Sequence, residues 1–320
     1  MHNLRHFYYQ NKEKIWKVVL IITFLLGLIY FLNKQLTEKS QNTTNTANTM
    51  DDSIYSDEKN NTYISEKSAI SGQKVTESEV KQINSTISKF LQYCKNKEVE
   101  NAYNMLSADC KEKVYNTLEE FQEKYINSKF GQESIFEIDK WINNTYKISI
   151  SKDLLATGDV SNNEKRIEYI TIVTENSQEK LNINSYIGKQ EINKQMIQDN
   201  VKVTALNKNV YIDYEEYNFE IENLSSKTVV IDSLQKIGTM YLKDSNGNKY
   251  NAYAHEIFEQ DLEIKTKQKT NISIKYAKTY TSKSNIESIT FKNIILDYIE
   301  YKNTEDKEQF EKICEITIEI

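Results

Sequence analysis

The chain contains no proline. A protein of this length would ordinarily hold on the order of 16, so polyproline spacers, collagen-like repeats and native cis-proline turns are excluded. Glycine is scarce as well, with seven residues, and none of them cluster into a loop that could cradle phosphate. Arginine is almost missing. Only Arg5 and Arg166 occur and every other basic residue is Lys, alongside abundant Asn, Ile and Tyr, a bias that AT-rich codon usage accounts for. The guanidinium forks that read phosphate and nucleic acid are therefore lacking, and nucleic acid is not an expected partner. Histidine is confined to His2, His6 and His255, and cysteine to Cys94, Cys110 and Cys314.

What is present begins with one long apolar run. Val18 to Leu32 reads VVLIITFLLGLIYFL without a charge, and Trp16 and Lys17 extend it with the residue types that favour a membrane interface. As a helix, Trp16 to Leu32 would span about 26 Å, close to a hydrocarbon core of roughly 30 Å, with Lys17 able to snorkel. A core helix apolar on every face is rare in a soluble protein. A cleavable signal peptide has the same basic-then-apolar order. However, Asn33 to Glu38 offers neither a small-x-small cleavage pattern nor a lipidation cysteine, so the run reads as an uncleaved signal anchor. Arg5, Lys12, Lys14 and Lys17 precede it against Glu13 alone, which leaves the amino terminus in the cytoplasm and the rest outside the cell membrane.

Five segments follow from composition and periodicity: a cytoplasmic tail (1–15), a transmembrane helix (16–33), a disordered linker (34–75), an α+β domain (76–195) and an all-β sandwich (196–320). The linker is rich in Asn, Thr, Ser and charge and has no hydrophobic period. As a flexible coil, roughly 40 residues would reach about 35 Å, enough to act as a stalk. The α+β domain opens on a capping box, Thr76 to Glu79, ahead of Val80, Ile83, Ile87, Phe90, Leu91 and Cys94 at helical spacing. A second helix runs through Val99 to Leu106, Ser107 caps a third, and Thr117 with Glu120 forms a second capping box. The period then changes to alternation at Tyr146, Ile148 and Ile150, the run Ile167 to Val173 reads as buried on both faces, and Leu181 to Ile187 alternates again. From about 200 onward the pattern is β throughout, with Tyr217, Phe219 and Ile221 on one face. Asn246-Gly247 predicts a hairpin with a type I′ turn.

Helices followed by a sheet, carrying AYNMLS (102–107), TLEEF (117–121), DLLATG (153–158), YITIV (169–173) and LNINSYIG (181–188), resemble the nuclear-transport-factor-2-like domains of membrane-anchored Gram-positive proteins. The resemblance covers about a third of the chain. It implies a cone-shaped α+β domain, a fold used as ligand pocket, enzyme or assembly module. The strand YNFEIEN and the segment YLKDSNGNKY resemble immunoglobulin-like β-sandwich domains of bacterial surface proteins.

No residue set announces catalysis, and no catalytic, cofactor-binding or metal-binding residues are assigned. The helical domain holds no His, which removes Ser-His-Asp and Cys-His systems there. His255 beside Glu256 reads as a polar pair at a strand end. Cys94 and Cys110 could form a bridge contributing up to about 3 kcal/mol, or all three cysteines could serve as small buried hydrophobes. Asp244 to Asn248 superficially resembles a calcium loop, but Gly falls at position 4 instead of 6. Asp213, Glu215 and Glu216, interleaved with Tyr211, Tyr214 and Tyr217, read as a solvated loop. Asp139, Asp153 and Asp159 could pair for acid–base work, but their spacing singles none of them out. The expectation is a single-pass, membrane-anchored, non-enzymatic protein without cofactor. Its two extracytoplasmic interaction domains would engage other envelope proteins in an assembly of secretion or conjugation type. The alternative is small-ligand binding or catalysis in the pocket of the α+β cone.

The charge balance supports the compartment division. The chain has 41 basic and 47 acidic residues, a net charge of -6, yet residues 1–17 alone carry four basic against one acidic. The basic end faces the anionic inner leaflet, and the acidic remainder is repelled by anionic surfaces.

Overall fold

Helical periodicity gives way to strand periodicity near residue 130, and most of the strands lie after that change. The computed structural model describes residues 55–57, 61–131, 134–152, 165–281 and 285–320. The tail (1–15), the apolar run with its anchor residues Trp16, Lys17, Val18 and Leu32, and the linker through residue 54 lie outside the described residues. Among the described residues no helix is long and apolar enough to cross a membrane. Residues 55–320 group as one unit, mostly β-sheet in sandwich-like sheets with few helices.

The first lobe starts where the capping box sits. Thr76 accepts the Glu79 N–H, and the Glu79 carboxylate accepts the Thr76 N–H at 2.8 Å, satisfying two helix-end donors reciprocally. The helix runs through Glu77–Ile83, a widened turn at Asn84–Ser88, and Lys89–Lys95, burying the predicted stripe from Val80 to Cys94. Ser107 caps the helix Ala108–Lys113 by accepting the Cys110 N–H at 3.0 Å, and Thr117 caps Leu118–Phe121 by accepting the Glu120 N–H at 3.1 Å. These helices cover a six-stranded sheet ordered as in sequence: β1 (Tyr55–Asp57), β2 (Thr62–Ile64), β3 (Ser134–Ile142), β4 (Thr145–Lys152), β5 (Arg166–Glu175) and β6 (Gln178–Asn182).

Two expectations are corrected here. Residues 61–75 were expected within the disordered linker, yet β2 pairs in parallel with β3, and Ile64 and Val75 are buried in the lobe core. A three-residue strand has no period of its own, and its partner is distant in sequence, with Thr62 opposite Phe136. The run Ile167 to Val173 is not buried on both faces. Ile167 is 54% exposed while Glu168 points inward beside Ile170 and Ile172. Strand parity overrides side-chain polarity there, because Lys129 supplies a counter-charge inside.

The second lobe is two packed sheets. One runs β14 (Lys269–Tyr276), β9 (Glu215–Asn223), β8 (Val201–Tyr211), β7 (Tyr186–Gln198). The other runs β12 (Lys249–Asn251), β11 (Met240–Asp244), β15 (Ile286–Ile295), β10 (Val229–Val230), β13 (Glu263–Ile264), with β16 (Ile313–Glu319) also on β15. Tyr217, Phe219 and Ile221 face inward as predicted, and Phe219 meets Phe291 of the opposing sheet edge to face at 5.1 Å. Each such side chain contributes roughly 1.5–3 kcal/mol on burial. The expected division at 195/196 falls inside β7. Tyr186 at its start packs in the first core, and Ile192 packs against the second.

The Asn246-Gly247 hairpin forms, but with a different turn. Only Gly247 is left-handed, at φ 82, whereas type I′ needs both central residues there. The Asp244 carboxylate explains the difference. It accepts the N–H groups of Asn246 at 3.0 Å and Asn248 at 2.8 Å and the Tyr250 hydroxyl at 2.9 Å, folding the loop over itself.

Candidate functional site

Glu215 opens β9 with the same parity as Tyr217, Phe219 and Ile221, so its carboxylate is carried inside the sandwich edge. It is not in the solvated loop its sequence neighbourhood suggested. β8 runs alongside on one flank and brings Lys208 beside it; β14 pairs on the other, with Tyr276 opposite Glu215 and Lys278 just beyond. One Glu215 oxygen accepts from the Lys208 ammonium at 3.0 Å and from the Tyr217 hydroxyl at 2.8 Å, and the other meets the Lys278 ammonium at 3.0 Å. The Lys278 and Glu215 side chains retain only 4% and 3% of their exposure. Burial alone would raise the Glu215 pKa, but the two ammonium groups and their hydrogen bonds outweigh it and hold the carboxyl below its ordinary value. Burial and the neighbouring carboxylate push the Tyr217 hydroxyl strongly upward, so it stays a donor.

This triad forms the floor of a cleft of about 570 Å³. Gln190, Glu191 and Lys194 of β7 line one wall, and Tyr280, Thr281 and Asn285 another. Asn143, from the turn between β3 and β4 of the first lobe, closes it by donating its side-chain amide to the Tyr280 hydroxyl at 2.9 Å. The cleft thus lies where the lobes meet.

A second buried charge lies in the first lobe. The Glu168 carboxylate accepts from the Lys129 ammonium and from the Asn184 N–H, the latter at 2.6 Å. Here burial dominates over Lys129, and the Glu168 pKa is raised. The lobe's interior is packed with rings: Phe121 stacks on Tyr125 at 5.4 Å, and Phe90, Tyr115, Phe130 and Phe136 surround them.

The other candidates separate in space. Asp139 accepts from the Ser65 hydroxyl, while Asp153 and Asp159 lie outside the described residues. His255 and Glu256 form an exposed 3.8 Å pair, on a 3-10 turn (Ala254–Glu256) instead of a strand end. Cys94, Cys110 and Cys314 are buried free thiols, so Cys94 and Cys110 are not bridged. The Asp244 carboxylate is occupied by its own loop. Among the described residues no group of three or more His, Cys, Asp or Glu is placed to hold a metal ion. Compared with protein-family models, curated proteins and solved structures, the chain matches none.

The Lys208–Glu215–Lys278 triad escaped the sequence reading. Its only signal was parity: Glu215 is two residues before Tyr217, in line with the buried Tyr217, Phe219 and Ile221.

Proposed function

We propose that this chain is a single-pass, membrane-anchored protein whose residues beyond the anchor form a non-catalytic binding unit outside the cytoplasm, as a component of a cell-envelope assembly of secretion or conjugation type. In this reading the first lobe is a nuclear-transport-factor-2-like domain used as an assembly module, and the second an immunoglobulin-like sandwich. The order of helices followed by the antiparallel strands β3–β6 supports the former, and the two packed sheets around Phe219 and Phe291 support the latter.

One observation carries the proposal: among the described residues both cores are packed with buried hydrophobic side chains, and the buried acid at the lobe junction, Glu215, is engaged by Lys208 and Lys278. Such a surface binds without offering a free nucleophile or general base. Ligand binding or catalysis inside the first lobe would need the space that Phe90, Tyr115, Phe121, Tyr125, Phe130 and Phe136 occupy.

The test uses the full chain in cells. A photo-crosslinking residue at Gln190, on the cleft wall, should give a discrete adduct with another envelope protein, and protease added to spheroplasts should remove everything beyond about residue 40. Protection of the whole chain, or a partnerless monomer at every crosslinking position, would overturn the reading.

A further inference from the structure

We propose that the cleft floored by Lys208, Glu215 and Lys278 binds a small, hydroxyl-bearing organic oxyanion: a carboxylate or phosphate monoester of sugar size. The inference rests on the non-catalytic reading above and adds the chemistry of what is bound.

Charge balance is the first observation. Lys194, Lys208 and Lys278 line the cleft. Glu215 is shared by two of them, and Glu191 is engaged at 3.2 Å by Lys189 outside the cleft. Lys194 makes no ion pair among the described residues. The three lining ammonium groups thus outnumber the two lining carboxylates, one of which, Glu191, already has a partner outside the cleft. The protein's net charge is -6, so the cleft carries a local sign opposite to that of the whole.

Burial is the second. A salt bridge serving only to tie strands together needs one lysine per carboxylate. Here two ammonium groups, Lys208 and Lys278, share the one buried carboxylate of Glu215, and the excess positive charge is held largely out of water, where it is costly. An anionic ligand removes that cost. Lysine presents a point charge, suited to a single oxygen atom, in contrast to the planar fork that clamps a carboxylate at two points.

Size and lining are the third. A volume of about 570 Å³ falls within the range of small-molecule sites. Around the charged floor stand the neutral side chains of Asn143, Gln190, Tyr280 and Asn285, which hydrogen-bond hydroxyl groups.

Calorimetric titration of the full chain in detergent micelles at fixed ionic strength tests this, with glucuronate and glucose 6-phosphate as anionic probes and glucose as the neutral one. Saturable one-to-one binding of at least one anion, with none of glucose, is expected. Lys194→Ala removes an exposed side chain outside the triad and should weaken anion binding by about five- to tenfold. Lys208→Gln, which leaves Lys278 and Glu215 paired, should weaken it similarly. Preference for carboxylate over phosphate, or the reverse, identifies the source of the oxyanion. Equal binding of glucose, no anion binding at millimolar concentration, or an affinity unchanged in both variants would overturn the proposal. Recovery of the bound probe unaltered supports the non-catalytic reading; its conversion would overturn that reading while leaving the anion site standing.

Discussion

The Lys278 ammonium lies 3.0 Å from Glu215, on a side chain as deeply buried as the carboxylate it meets. The two residues come from a strand and from the segment that follows its neighbour, so the pair forms only when β9 and β14 are in register. Removing the carboxylate strands two ammonium groups in the interior. Glu215→Gln should destabilise the unit by about 3–5 kcal/mol, whereas Lys208→Met, which leaves a balanced pair, should cost far less. Urea unfolding followed by far-ultraviolet circular dichroism measures both; equal costs would refute the shared-carboxylate account.

The same carboxyl makes an acid-stability prediction. Its folded pKa lies below the ordinary value of 4.5. Folding therefore favours the deprotonated form, and the contribution is fully present above that value and lost as pH falls through the lower folded one. In Glu215→Gln this loss should be absent, so the wild-type and variant stability curves should converge as pH falls through the lowered folded value.

Glu168 titrates in the opposite sense. Burial raises its pKa despite Lys129, so the folded state holds a proton more readily than the unfolded chain. Stability from this group grows as pH falls through the raised folded value toward 4.5 and is lost as pH rises. Lys129→Met leaves the buried carboxylate unpaired. It should cost about 3 kcal/mol at pH 8 and progressively less on acidification, because a protonated Glu168 needs no counter-charge. A cost independent of pH would contradict this.

The three thiols should behave as core atoms. Burial raises the Cys94 pKa well above its usual value and pushes Cys110 up to about 12 and Cys314 up to about 11. Native protein should react negligibly with a thiol reagent at pH 8, and denatured protein without reductant should release three thiols. Fewer than three would reveal a bridge.

How much was legible follows from where the information sits. Helix starts at Thr76, Ser107 and Thr117 were readable because a cap and its acceptor lie within one turn. The inward face of β9 was readable because parity is local. What could not be read depends on partners distant in sequence. β2 exists because β3 accepts it, Glu168 turns inward because Lys129 waits there, and Glu215 is tolerated because Lys278 arrives from the segment after β14. The hairpin turn failed for a different reason: the Asp244 side chain competes with backbone preference at Asn246 and Gly247. The cleft was hidden because its lining is drawn from strands and turns far apart in sequence, from Asn143 through β7, β8 and β9 to Ile286.

β7 predicts how the two lobes unfold. Tyr186 is buried in the first core, in ring contact with Tyr211 at 5.2 Å, while Ile192, further along the same strand, packs against the second. A strand shared by two cores couples their stabilities, so the described unit should unfold in one transition. Trp141 on β3 reports the first lobe by fluorescence, and alkylation of Cys314 on β16 reports the second. Their denaturant midpoints should coincide in the wild type. Tyr186→Ala should lower both midpoints together, at a cost of about 3–5 kcal/mol for losing a large buried ring. Separate midpoints, or a shift confined to Trp141, would mean that β7 passes between two independent domains without joining them.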